Sequence, residues 1–156
     1  MKIKLNYFVI PLITLAVALI GSWFVKAGML WYEFLVLPPL APPGWVIGAV
    51  WTIIFALTTI SALLVWNRSP RDTRFSWLVA FFVLNAILNV LWSFLFFYLG
   101  MPLAPIAEMI VLEITVLVLI FLAWPISRLA SLLLLPYALW VAFATHLAWQ
   151  IFKLNG

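Results

Sequence analysis

The chain alternates between long apolar runs and short polar breaks, on a scale far longer than the repeat of any strand. Five runs are uncharged or nearly so: residues 7–25, 45–66, 75–99, 103–124 and 129–152. A helix rises ~1.5 Å per residue, so a hydrocarbon core of ~30 Å needs about 20 apolar residues. Each run meets that length. None alternates apolar and polar positions with the period of two that a barrel strand shows. The fold class these runs predict is all-α, an integral membrane bundle of five transmembrane helices in a single domain over residues 1–156.

The breaks carry their own signals. Residues 26–43 are expected to form a loop, and loops of about 18 residues in compact folds are often functional. That loop holds Pro38, Pro39, Pro42 and Pro43, flanked by aromatics. Pro43 stands just before the second run, where a missing N–H is harmless. Asn67 to Arg74 reads as a basic turn, Gly100-Met101-Pro102 as a tight break and Pro125 to Arg128 as a short turn. Pro136 lies inside the fifth run, where a kink is tolerable. The first run follows Lys2 and Lys4, as a signal peptide would. It is too long for a cleaved segment and no A-x-A-like site follows it, so it reads as a retained helix.

Composition sharpens the membrane reading. The chain is 69% hydrophobic and only 8% charged, against about a quarter charged in soluble domains. A lipid bilayer is therefore the expected partner of most of its surface. The absence of Cys excludes disulfides, thiolate metal sites and Cys nucleophiles. The net charge of +4 comes from scattered residues rather than a basic stripe, so no nucleic-acid partner is expected. Instead the basic residues report topology. With five spans, Lys2, Lys4, Arg68, Arg71, Arg74 and Arg128 share one side, against Lys26 and Lys153 on the other. The positive-inside rule places the N-terminus in the cytoplasm, and the 26–43 loop and C-terminus on the outer or periplasmic side.

That topology allows depths to be matched between helices. Trp51, Trp92, Glu108 and His146 fall in one outer layer, with Trp140, Phe55, Asn85, Asn89 and Glu113 just beneath. The arrangement predicts an aromatic cavity opening outward under the proline-rich loop, with Trp31 to Pro43 as a lid. Trp31, Trp66, Trp77, Trp124 and Trp149 lie near span ends, as interfacial anchors do. Asn85 and Asn89 share a helical face and either bond neighbouring helices or meet a ligand. Glu113, at mid-membrane, is a functional candidate by default. It is otherwise protonated or bonded to an Asn. His146 has two readings, a pairing with Glu108 across helices or plain packing. One His without Cys does not make a zinc site, and no metal is expected. No nucleophile–base–orienter set and no phosphate loop are present.

Four blocks of residues resemble a known family. They are Trp31-Tyr32 with Leu35, Pro38, Pro42-Pro43-Gly44 and Trp51; Asn85 with Leu88-Asn89, Trp92-Ser93 and Phe96-Phe97; Glu108 at the start of the fourth span; and Pro136-Tyr137, Trp140, Phe143-Ala144-Thr145, Leu147, Ile151 and Leu154-Asn155. Together and in order they resemble the TspO/MBR family of tryptophan-rich sensory proteins, to which the mitochondrial translocator protein belongs. The resemblance implies a five-helix bundle, commonly a homodimer, with a ligand pocket beneath the first loop. On matching positions it implies a pocket lined by Tyr32, Pro42, Ile47, Trp51, Phe55, Asn85, Asn89, Trp92, Trp140, Phe143 and Ala144. It implies porphyrins or haem-type tetrapyrroles as ligands rather than as resident cofactors, of which none is expected. The chain departs from the family pattern at Leu40, Ala148 and Phe152. No Tyr occurs between Leu147 and Lys153, so no dedicated sterol role is expected.

The function expected from this reading is a membrane receptor or binding protein for porphyrins and related flat apolar ligands, sensing or transporting them. Two alternatives stand beside it. One is an enzyme degrading porphyrin with light or oxygen through Trp51 and Trp140. The other is a small-solute transporter with Glu108 and Glu113 on a proton path.

Overall fold

The computed structural model describes residues 4–156; Lys2 lies outside the described residues. Its helices are α1 (Asn6–Ala27), α2 (Met29–Glu33), α3 (Gly44–Arg68), α4 (Thr73–Ser93), α5 (Ala104–Ala123), α6 (Arg128–Leu132) and α7 (Leu135–Asn155). A single π-helical turn, Phe94–Tyr98, extends α4. Five helical stretches are long and apolar enough to cross a membrane, α6 and α7 counting together as the last. The protein is an all-helical, multi-pass membrane protein.

The helices close into a ring. α1 packs on α3 and α4, α4 on α5, α5 on α7, and α6 with α7 returns to α3. The core forms where α3, α4, α5 and α7 converge, around Ile54, Leu78, Leu88, Leu112, Val116, Leu134, Tyr137 and Val141. α1 stays outside it; of its residues only Asn6 is buried. The outward faces carry large apolar side chains such as Leu12, Phe121 and Leu139. In water such a surface would aggregate, whereas in lipid it is the matching solvent face.

A polar network ties the converging helices together at mid-depth. The Asn85 amide donates to Thr115 Oγ1 at 2.9 Å, linking α4 to α5. The Tyr137 hydroxyl donates to Asn85 Oδ1 at 2.9 Å, linking α7 to α4. The Asn89 amide donates to the Tyr137 oxygen, and back to the Asn85 carbonyl at 2.8 Å. All four side chains are buried, Tyr137 at 1% exposure. Apolar burial alone discriminates weakly between helix faces when the solvent is itself hydrocarbon; paired amides and hydroxyls fix which faces meet.

Smaller features set the ends. Ser61 donates to the Ala130 carbonyl and Ser131 to the Ile120 carbonyl, both at 2.8 Å, pinning α6 against α3 and α5. Asp72 caps α4 through the Phe75 N–H at 3.0 Å. Gly28 lets α1 abut the π-helical turn, since a methyl group there would lie 1.9 Å from the Phe97 carbonyl oxygen. Gly100 turns the chain into α5 with φ +62°, in the left-handed region.

The expected spans differ from the observed helices at three places. The fifth run is not one helix over 129–152 but α6 and α7, separated by a turn at Leu133–Leu134. Pro136 has no N–H to continue the ladder, so it sits in the first turn of a new helix. The third run ends in the π-helical turn rather than as regular α-helix to 99; Leu99 N–H reaches the Phe94 carbonyl at 2.9 Å. Residues 26–43 are not all loop, because α1 runs on to Ala27 and α2 follows.

Replacing Asn85 by Leu takes the acceptor from Tyr137 and the donor from Thr115 inside the bundle. Unfolding in mixed detergent–SDS micelles is expected to show a loss of about 1–2 kcal/mol. An unchanged unfolding midpoint would mean that packing alone sets the register of α4 against α5 and α7.

Candidate functional site

A cavity of about 400 Å³ lies inside the ring, toward the end that carries α2 and the C-terminus. Nine of the residues singled out above line it: Tyr32, Ile47, Trp51, Phe55, Asn89, Trp92, Trp140, Phe143 and Ala144. Two do not. Asn85 faces a neighbouring cavity, because its side chain is drawn toward Thr115 and Tyr137. Pro42 lies in the segment leading into α3, whose cavity-facing residues begin at Gly44.

The indoles are placed by the same helix faces that carry the polar network. Trp92 follows Asn89 by three residues on α4, and Trp140 follows Tyr137 by three on α7. Residues three apart on a helix are neighbours on one face. Fixing the amide and hydroxyl therefore fixes the rings one turn above them. Trp51, on α3, packs at 6.5 Å from Trp92 and 5.9 Å from Tyr137, edge-on to the latter. Trp92 stacks on Phe96 at 5.6 Å with the planes 5° apart. Trp140 leans on Phe143 at 5.5 Å.

Two of these rings hold an unanswered group. The indole N–H groups of Trp92 and Trp140 are buried and have no hydrogen-bond partner. Such donors carry a cost unless something accepts from them. Among the described lining residues the titratable side chains are Lys26 and Tyr32, near the α2 end. Burial pushes the Tyr32 phenol above its ordinary value, so it remains a neutral hydroxyl at neutral pH.

The carboxylates stand elsewhere. Glu108 is buried on α5 with neither oxygen bonded, and Glu113 is half-buried with one oxygen unbonded. Neither lines the cavity. The His146 ring lies 3.3 Å from the Gln150 amide on its own helix, so the cross-helix pairing with Glu108 does not form. Nor does Glu113 meet Asn85 or Asn89, whose amides are taken by Thr115 and Tyr137.

Sequence reasoning passed over several lining residues, including Lys26, Gly48, Thr52, Ser93, Met109 and Leu112. Met109 and Leu112 lacked any polar or aromatic signal. Thr52 and Gly48 lie on the same face as Trp51, so helical spacing could have found them. Tyr137 was visible only as part of a sequence block, and its place at the centre of the network had no separate signal.

The TspO/MBR family model matches residues 9–154. The chain belongs to the TspO/MBR family. A tryptophan-rich protein TspO of Archaeoglobus fulgidus is 38% identical over 147 residues, spanning 93% of this chain and 94% of the relative. One of Bacillus cereus is 30% identical over 155 residues, 99% of this chain and the whole of the relative. The human translocator protein is 29% identical over 138 residues, 87% of this chain and 82% of its own length. As a TspO/MBR protein the chain is thus matched from α1 through the end of α7, with the cavity inside the matched region.

The segment between α2 and α3 is tethered to the end of α7. Met29 and Tyr32 of α2 reach the lining, while residues 34–43 run toward the end of α7. There Asn155 accepts from the Val36 N–H at 2.8 Å and donates to the Val36 carbonyl at 3.0 Å. A third bond of Asn155, to the Ile151 carbonyl at 2.8 Å, holds the amide in place. Pro38 to Ala41 close a turn at 2.9 Å, with Pro39 at the position whose φ proline presets. Trp31, partly exposed, packs edge-on against Phe96 at 5.4 Å.

Asn155→Ala removes both bonds to Val36. Hydrogen exchange over residues 34–43 is expected to speed up by about tenfold, at the net worth of two such bonds. Exchange at the wild-type rate would show that the prolines alone hold this segment.

Proposed function

We propose that this TspO/MBR protein binds porphyrins or closely related flat, apolar, anionic ligands in the cavity between α1, α2, α3, α4 and α7. The observation that carries this reading is the pair of unpartnered indole N–H groups, Trp92 and Trp140, in an otherwise apolar aromatic chamber. Apolar walls with a few convergent donors are the usual build of a small-molecule site. A flat conjugated ring gains stacking on Trp51 and Trp92. Lys26, on the same lining, supplies a cation for a carboxylate.

Binding, rather than turnover, is the reading favoured by the side chains at hand. The lining offers Lys26 and Tyr32 but neither of the two intramembrane carboxylates nor His146. A receptor or carrier needs only the affinity and a way in; α2 and the loop held by Asn155 stand at that entrance. The charge bias of the ends supports an entrance on the outer or periplasmic face, with the N-terminus in the cytoplasm.

Protoporphyrin IX is expected to quench the intrinsic tryptophan fluorescence saturably. The Trp51→Phe, Trp140→Phe double variant should weaken that binding by about tenfold. Lys26→Gln should weaken protoporphyrin IX but leave its dimethyl ester, which lacks the carboxylates, unaffected. Unchanged affinity in the double variant would remove the cavity from consideration, and equal losses for acid and ester would remove the role of Lys26.

A further inference from the structure

A second and larger cavity, of about 1200 Å³, lies between α1, α3 and α4 and runs from the N-terminal end of the bundle toward the end that carries α2. We infer that it takes one acyl chain of an anionic phospholipid from the leaflet on the N-terminal side, with the headgroup held by Lys4 and Arg71. It is separate in chemistry from the aromatic chamber, although the two meet at Val17, Phe55 and Asn89.

The part of it on the N-terminal side has the length of one leaflet. Its α1 lining runs from Leu5 to Phe24; within it, the closely spaced residues from Leu5 to Val17 follow one helical face and span about 18 Å at the rise of an α-helix. Half of a hydrocarbon core is ~15 Å. The walls along this run are aliphatic and aromatic, as a hydrocarbon chain requires. α1 contributes no buried apolar residue to the core, so the gap behind it is filled by something other than this chain's own side chains. Two polar atoms in the wall, Asn6 Nδ2 and Thr58 Oγ1, are buried without a partner. Asn6, at 8% exposure, lies at the same end of the slot as Leu5.

The mouth carries charge of one sign. Trp66 and Phe75 line it, and the Arg71 guanidinium lies 4.9 Å from the first ring and 3.9 Å from the second. Stacking on two faces holds an arginine without neutralising it. Lys4, next to Leu5 in the wall, reaches Asn67 at 3.4 Å, one residue beyond Trp66. Asp72 is the nearby acid in sequence, and one of its oxygens is committed to the Phe75 N–H. Two cations at one end of an apolar slot at least a leaflet deep match the two ends of an anionic lipid.

Native mass spectrometry of the delipidated protein in dodecylmaltoside, with equal added dioleoylphosphatidylglycerol and dioleoylphosphatidylcholine, tests this. The first lipid is expected to be retained preferentially. Arg71→Gln and Lys4→Gln should each lower its retention by about fivefold, the worth of one surface cation. Both changed residues are exposed, so folding is not at stake. Ala62→Phe, which fills the slot, should lower retention of both lipids, with quenching by protoporphyrin IX as the check on its fold. Equal retention of the two lipids, or retention of the anionic one that survives the charge changes, would overturn the headgroup assignment. Retention unaffected by a folded Ala62→Phe would overturn the cavity.

Discussion

The hydrogen bonds among Asn85, Asn89, Thr115 and Tyr137 are the constraint on which the rest of the bundle depends. Within a bilayer, one apolar helix face is much like another to its surroundings. Three helices meeting through two amides and two hydroxyls have far fewer ways to dock. Slipping α7 by one residue would turn Tyr137 about 100° away from α4 and leave the buried Asn85 acceptor and Asn89 donor unmet. Such buried polar groups are costly when single and specifying when paired.

The aromatic chamber inherits its shape from that constraint. Trp92 and Trp140 sit one turn above Asn89 and Tyr137, and Trp51 rests against Tyr137 from α3. The site is thereby built on helices rather than on the loop, and the loop's own tether, Asn155, lies at the far end of α7. A cavity whose walls are fixed before a ligand enters loses little to ordering when one does. Its indole donors stay unpaired in the meantime. α1, which contributes least to the core, is the helix that leaves room on both of its flanks for molecules other than the chain itself.

Much of this was legible in the sequence, for particular reasons. Runs of about 20 apolar residues name spans almost by length alone. Depth matching brought Trp51, Trp92 and Trp140 into one region because helix rise is constant and the turns between spans are short. What escaped had physical causes. The break before α7 and the short α2 depend on local competition between proline, capping and packing, which hydropathy does not register. Pro42 was placed in the lining by resemblance, but the approach to α3 turns inward only from Gly44. Asn85 was placed there too, and its amide is spent on Thr115 and Tyr137. The pairing of His146 with Glu108 assumed that equal depth means facing positions, and rotation about the helix axis decides that instead.

The central claim is that the polar network holds the indoles of the chamber in place. The indole N–H region of a ¹⁵N-labelled spectrum reads this directly in the ligand-free protein. Tyr137→Phe is expected to shift the Trp51 resonance and broaden those of Trp92 and Trp140, while Trp77 and Trp124, away from the chamber, keep their positions. A spectrum in which all three chamber indoles stay sharp and unmoved would show that the rings are held by packing alone, and would contradict the account.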